Sequence, residues 1–350
     1  MLASLRHRLR NGALGSRFGD PRAPSEVVPT LPTLPTLPTL PTLPTLGPAV
    51  AEVTGPVDRT RIVAPDDVDY PATFVDPELD ARFLSEGYVV VDFLDPDAVE
   101  SLRALCEERH AQPETTWEST FFGTDPARKR AVHDGIQDAF RAPIAQHFVG
   151  HSSIIPSFML NWPGPGGGLA LHQHCSLVDE SRFRSALVWC ALTDSFEENG
   201  ALHLVPRSHR LQVGPRPERT TSWLHDHAQR LHDRHLVSVP VRAGQAIIFD
   251  NQLLHCSFAN TTDACRRSAF AAVVPDATTA YYLDPGDGET AVAYRFDDEH
   301  FFERESKDYM WASPEGLERL GAMSWATPSV SEADLDALLL DGTCTHDAPS

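Results

Sequence analysis

The sequence predicts a mainly β domain, a barrel or sandwich of short strands with helices packed on one face. Two observations predict it. Between Ile154 and Val274 the chain passes through seven short β-rich runs: Ile154–Trp162, Leu169–His174, Ala186–Thr193, Ala201–Val205, Leu236–Val241, Ala246–Asp250 and Ser268–Val274. Turn-forming clusters such as Pro163-Gly-Pro-Gly-Gly-Gly and Arg242-Ala-Gly separate them, which is the spacing of an all-β barrel or sandwich. Helical periodicity is concentrated upstream of these runs. With 350 residues, 41% hydrophobic and 8% aromatic, the chain can fill one large core or two small ones.

Residues 1–70 stand outside that fold. The first 22 hold five arginines and one acid and read as a disordered basic arm; MLASLRHRLR lacks the apolar stretch of a secretory signal. From Pro29 to Leu46 run six tandem copies of Pro-Thr-Leu. A proline every third residue matches the polyproline II turn and removes the backbone donors that a helix or sheet needs. The segment reads as a semi-extended linker of about 55 Å, at roughly 3.1 Å per residue. It is either a spacer, a docking segment for a proline-recognising partner, or low-complexity sequence with no partner.

The folded domain is expected over 71–325, beginning near Phe74. Phe83–Leu94 reads as a helix end followed by a strand, with Gly87 at the break. Asp95-Pro96 gives an N-cap with proline at the first helical position, and Val99, Leu102, Leu105 and Cys106 recur at helical spacing through Ala111. A second helical stretch covers roughly 125–148, with Pro143 expected to interrupt it. After the β-rich runs, Ser331-x-x-Asp resembles a cap before Leu335, Leu338 and Leu339, so 326–350 is expected to hold a terminal helix and tail. Nothing marks a second catalytic domain.

A net charge of −20 predicts no general attraction to nucleic acid or an anionic membrane. No apolar run approaches the roughly 18–20 residues needed to span a bilayer. Cys106, Cys175, Cys190, Cys256, Cys265 and Cys344 form no CxxC pair and read as reduced thiols, which points to the cytoplasm.

Three groups carry chemistry. In Leu171-His172-Gln173-His174-Cys175 the two histidines are two apart; on a strand they project to one face, where imidazoles suit iron, zinc, copper or nickel. Asp250-Asn-Gln-Leu-Leu-His255-Cys-Ser257 puts another histidine just past an apolar strand, as a third ligand from elsewhere in the sheet or as an interior histidine bonded to a carbonyl. Arg266 opens the strand Arg-Arg-Ser-Ala-Phe-Ala-Ala-Val-Val. Alternation puts Arg266, Ser268 and Phe270 on one face and Arg267 on the other. A guanidinium turned inward would fork onto a carboxylate, whereas one turned outward would only end a strand.

Taken in order, these groups resemble the phytanoyl-CoA dioxygenase family of iron(II)/2-oxoglutarate oxygenases. The resemblance starts at Phe83–Leu94 and sharpens at Leu171-His-Gln-His-Cys-Ser-Leu-Val-Asp-Glu180. It continues through Trp189, Glu198-Asn-Gly-Ala-Leu-His-Leu-Val-Pro-Arg-Ser-His209, Ala243-Gly-Gln-Ala-Ile-Ile-Phe-Asp250 and His255-x-Ser-x-x-Asn260-x-Thr-x-x-x-Arg266. It implies a double-stranded β-helix, a cupin-like jelly roll. It also implies an oxygenase that takes Fe(II), 2-oxoglutarate and O2 and hydroxylates a small-molecule or natural-product substrate. His172 and His255 match family metal ligands, and Arg266 matches the arginine that holds the far carboxylate of 2-oxoglutarate. Ser257 matches a hydroxyl partner of that carboxylate, and Gln173 and Trp189 fall where the cofactor region is lined. His203 and His209 fall in a turn that shapes the barrel and read as structural.

His174 stands where the family carries aspartate. Neutral imidazole leaves the site one positive charge richer and removes a hard oxygen donor. Four readings follow: a three-histidine iron site; a two-histidine site open to another ligand such as halide; a different metal with hydrolytic chemistry, since three histidines also suit zinc; or a barrel that binds without catalysis. The segments 114–128, 212–235 and 275–309 are expected at the rim. There Tyr281, Tyr282, Tyr294, Phe296, Phe301, Phe302, Tyr309 and Trp311 either line a substrate wall or cover the barrel end.

Overall fold

A computed structural model describes residues 61–62, 68–109, 115–123, 125–212, 214–217, 226–285, 290–296, 315–325 and 330–340. The expected arm and Pro-Thr-Leu linker, Cys344, and Phe301, Phe302, Tyr309 and Trp311 lie outside these residues.

The upstream helices form for the local reasons their sequences contain. Helix α1 (Pro77–Glu86) starts with Pro77 after an Asp76 cap that accepts from Glu78 N at 2.8 Å. It ends at Gly87, whose φ of 85° lies in the left-handed region, and the chain turns straight into strand β1 (Tyr88–Asp92). Helix α2 (Pro96–Arg109) is capped by Asp95, which accepts from Ala98 N at 2.8 Å. After β2 (Trp117–Ser119), helix α3 (Pro126–His147) follows an Asp125 cap. Pro143 does not interrupt α3, contrary to the sequence expectation. Val132, Ile136, Phe140 and Ile144 are buried at every fourth position, and this apolar stripe holds the last turn against the sheet despite the missing donor.

All seven β-rich runs form strands. They are β3 (His151–Asn161), β4 (Leu169–His172), β5 (Ala186–Ala191), β6 (Leu202–Leu204), β7 (Val237–Val239), β8 (Gln245–Asp250) and, past the short β9 (His255–Ser257), β10 (Arg266–Pro275). Helix α4 (Ala228–Arg234) precedes β7. Six strands make an antiparallel sheet in the order β1-β8-β5-β10-β3-β2, and four make a second sheet in the order β4-β9-β6-β7. These two facing sheets are the jelly roll of a double-stranded β-helix. Segment 114–128, expected at the rim, supplies the edge strand β2.

Alternation on the large sheet separates two cores. Val89, Val91, Val188, Cys190, Ile248, Ala269, Ala271 and Val273 face the helices and pack with Phe83, Leu102, Ile136 and Phe140. Leu187, Trp189, Ile247, Phe249, Phe270 and Ala272 face the second sheet and pack with Leu202, Leu204 and Val239. A third antiparallel sheet, β11 (Tyr281–Asp284), β12 (Thr290–Arg295) and β13 (Arg319–Ser324), was not expected from the sequence. It buries Tyr281 and Tyr282, and the Tyr281 hydroxyl donates to Val178 O.

Helix α5 (Glu332–Leu340) follows Ser331, whose Oγ accepts from Asp334 N at 3.1 Å. Leu335 and Leu338 pack with Val205, Leu211, Leu231 and Leu254, and Asp336 pairs with Arg230. No described helix is long and apolar enough to cross a membrane.

Candidate metal centre

The second sheet builds a histidine cluster. His172 ends β4 directly opposite His255 on β9, and their rings lie 4.1 Å apart between centroids. His174, two residues past His172, lies just beyond the end of β4 with its ring 5.0 Å from that of His255 and 6° from parallel to it. The candidate ligand atoms of the three lie within 4.8 Å of one another. His255 is buried, and His172 and His174 are half-buried.

The hydrogen bonds show which nitrogens are free. His172 Nδ1 is 2.8 Å from Ala170 O and His255 Nδ1 is 2.8 Å from Leu253 O. A carbonyl only accepts, so each Nδ1 carries the proton and each Nε2 keeps its lone pair. His174 Nε2 stands 3.2 Å from His255 Nε2. Burial pushes the titration of all three rings down, and the mutual repulsion that charging would bring, together with Arg216 near His174, adds to the effect at His174 and His255. Neutral imidazoles with Nε2 lone pairs on His172 and His255, and His174 Nε2 close beside them, are a donor set that suits a divalent metal.

Arg266 lies on the barrel-facing side of β10, the face that also carries Phe270. It is 2% exposed. Its Nη1 donates to Gly200 O at 2.9 Å, its guanidinium sits 5.0 Å from the centre of the Trp189 ring, and its Nε has no partner. Among the described residues no carboxylate lies within ion-pairing distance of it. Burial lowers its pKa to about 10, so the guanidinium is still charged at neutral pH. Asn161, its cross-strand neighbour, carries a buried Oδ1 that is also without a partner. Arg267 points the other way, toward Glu107 and Trp162.

Ser257 is buried two residues past His255 and accepts from Leu169 N at 3.2 Å, which leaves its hydroxyl proton for a further acceptor. It lies opposite Leu202, two residues from the carbonyl that Arg266 holds. Trp189 and Phe270 are cross-strand neighbours on the barrel-facing side, and Phe270 stacks on His174 at 5.9 Å. The structure therefore joins His172, His174 and His255, and joins Arg266 to Trp189.

It does not bring Gln173 into either group. Gln173 Nε2 donates to Gln252 O at 2.6 Å, in a polar layer behind the histidines. His203 and His209 stand apart as well: His203 Nδ1 meets Ala201 O at 3.0 Å, and His209 Nε2 meets Leu84 O at 2.9 Å. Burial holds His209 down to about 3.

The donor set and the unmatched arginine fit a divalent metal and a small carboxylate. The family of the chain then follows from comparison. A family model described as Phytanoyl-CoA dioxygenase (PhyH) matches residues 83–268, just over half of the chain. The chain belongs to the phytanoyl-CoA dioxygenase family.

Within that family setting, the chain is 35% identical over 116 residues to phytanoyl-CoA dioxygenase domain-containing protein 1 of Danio rerio, a match covering 31% of this chain and 40% of that protein. It is 25% identical over 262 residues to Dioxygenase trt7 of Aspergillus terreus, covering 65% of this chain and 81% of that protein. The match thus spans less than half of the Danio rerio relative. Among solved structures it is similar to EctD from S. alaskensis, solved with 2-oxoglutarate and 5-hydroxyectoine. That similarity is 23% identity over 63% of this chain and 84% of the other, with a TM-score of 0.45.

Sequence reasoning did not single out Arg216, whose Nε donates to His174 O at 2.9 Å, its partner Glu180, Asn251, whose carbonyl accepts from His174 N, or Asn161 beside Arg266. Glu180 closes the His172–Glu180 motif, but Arg216 sits in a segment that shows no periodicity.

Proposed function

We propose that this protein is an iron(II)- and 2-oxoglutarate-dependent oxygenase acting on a small molecule, with His172, His174 and His255 as a three-nitrogen metal-binding face. The observation that carries the reading is Arg266: a buried, charged guanidinium with no carboxylate partner among the described residues, on the strand whose Phe270 stacks on His174. When bound, iron and 2-oxoglutarate supply the oxidising chemistry with O2.

The chain's own residues bind, orient and exclude water. His172 and His255 offer Nε2 because backbone carbonyls hold their Nδ1 protons. His174 takes the place of the family aspartate and leaves the metal's charge uncompensated on the protein side. An anionic co-substrate therefore becomes the main source of compensation. Arg266 would receive its far carboxylate, with Ser257 donating a second hydrogen bond and Trp189 closing the pocket behind the guanidinium. The apolar walls around Phe249 and Phe270 keep the site dry, which strengthens these contacts. No side chain is required as a general base. Cys106, Cys190, Cys256 and Cys265 are free thiols, which supports the cytoplasm as the compartment.

Anaerobic addition of Fe(II) and 2-oxoglutarate is expected to give the weak visible charge-transfer absorption of a metal-chelated 2-oxo acid. Admitting O2 is then expected to release succinate. Folded, iron-loaded protein that gives neither signal would sink the reading. Stoichiometric zinc with no response to 2-oxoglutarate would favour hydrolysis instead.

A further inference from the structure

The ladder between β4 and β9 holds His172 and His255, but His174 lies past the end of β4 and has no ladder bond of its own. Its peptide is gripped by other groups. His174 N–H donates to Asn251 O at 3.3 Å, and Arg216 Nε donates to His174 O at 2.9 Å. The next carbonyl, Cys175 O, accepts from Asn251 Nδ2 at 2.6 Å.

Arg216 is 4% exposed. Its Nη1 donates to Glu180 Oε2 at 2.7 Å and to Gln252 Oε1 at 3.1 Å, and its Nη2 to Glu180 Oε1 at 2.6 Å. The carboxylate thus takes a bidentate fork, the geometry that fixes a guanidinium plane. Glu180 is itself anchored by Ser176 Oγ at 2.7 Å. Arg216 N donates to Ser176 Oγ at 3.1 Å, and Ser176 N to Arg216 O at 2.9 Å. With its two Nη atoms committed to Glu180, Arg216 has its Nε edge left to aim, and that edge aims at the carbonyl of His174.

We propose that Arg216, locked in plane by Glu180, is the positioning residue that fixes His174 as the third ligand of the metal centre. The inference rests on the reading of His174 as a ligand. It explains how a side chain outside the sheet ladder can hold its place as firmly as two inside it. Lysine is not equivalent, because a point-like ammonium lacks the planar fork whose separate nitrogens reach Glu180 and the carbonyl. Groups that orient a ligand in this way typically change metal affinity by about 10–100-fold when removed.

The test uses Co(II) alone as the probe, read by titration and by its ligand-sensitive visible spectrum. The variants are His174→Ala, Arg216→Lys, and the charge-neutral pair Arg216→Met with Glu180→Gln. The pair leaves no unmatched buried charge, and Arg216→Lys leaves Glu180 its counter-charge should the pair fail to fold. Both are expected to bind Co(II) about 10–100-fold more weakly and to shift the spectrum to that of His174→Ala. Adding either to His174→Ala is expected to cost nothing further. Wild-type affinity and spectrum in a folded Arg216 variant would overturn the proposal. So would losses that add to those of His174→Ala, or full rescue by lysine. If His174→Ala itself leaves the Co(II) spectrum unchanged, the ligand reading fails first, and the result identifies that as the failing step.

Discussion

Arg266 brings a positive charge into an apolar wall, and nothing in the described chain meets it with a negative one. Burial lowers its pKa only to about 10, so the charge persists at neutral pH and its desolvation is left to a ligand to offset. Replacing it with methionine, which fills similar volume, should leave the ligand-free protein at least as stable, as judged by its melting temperature. The same change should remove a charge-assisted contact of about 1.5–3 kcal/mol. Anaerobic calorimetry with Fe(II) should then show 2-oxoglutarate binding roughly 10–150-fold more weakly, since each 1.4 kcal/mol is about tenfold. Unchanged binding by Arg266→Met would remove Arg266 from the site. In the sequence, strand alternation separates Arg266 from Arg267, and the family resemblance picks Arg266 of the two. The histidine cluster was legible through the His-x-His spacing together with His255. Gln173 lies outside both groups because its amide is taken up by Gln252 O. Arg216 was not legible, because it acts from a segment with no periodicity through a backbone carbonyl.

At the scale of elements, the strands easiest to read are those buried on both faces, such as Ala186–Ala191 and Gln245–Asp250, whose apolar runs declare themselves. The three residues of β9 carry no such run, and β11 to β13 pair only with one another, over separations that no local pattern encodes. Gly87 is where local signal and packing agree. It ends α1 with φ of 85° and starts β1, and its carbonyl accepts from Asp250 N at 2.8 Å. A Cβ there would lie 2.4 Å from His209 Nδ1 and 2.6 Å from Leu253 Cδ1. Gly87→Ala therefore meets both left-handed strain and overpacking, together about 2–4 kcal/mol. Urea unfolding should report a loss of that size. A variant within 0.5 kcal/mol of wild type, roughly the range of an ordinary surface substitution, would show that the turn is free to rearrange.

The molecule as a whole is organised by one sheet with two different faces. Helices α1 to α3 cover one face and make a core with no polar task, and the other face, with the second sheet, encloses the histidines and Arg266. Stability and metal binding should therefore separate by face. Phe140 is fully buried among the helices, in edge-to-face contact with Phe93 at 5.0 Å. Phe270 is buried on the opposite face of the sheet and stacks on His174 at 5.9 Å. Removing a buried phenylalanine side chain costs about 3–5 kcal/mol through lost burial and the cavity left behind, so both alanine variants should lose stability in urea. The metal should distinguish them. Phe140→Ala acts through the far face of a sheet whose strands are paired on both sides, and it should leave Co(II) affinity within about twofold, a change worth only about 0.4 kcal/mol. Phe270→Ala frees the ring of His174 to tilt and opens the wall to water, and it should weaken Co(II) binding by about tenfold or more, the range expected when the support of a ligand is lost. Equal losses of Co(II) affinity in the two variants would mean that the faces are coupled through the sheet and that the metal centre senses the stability of the whole fold.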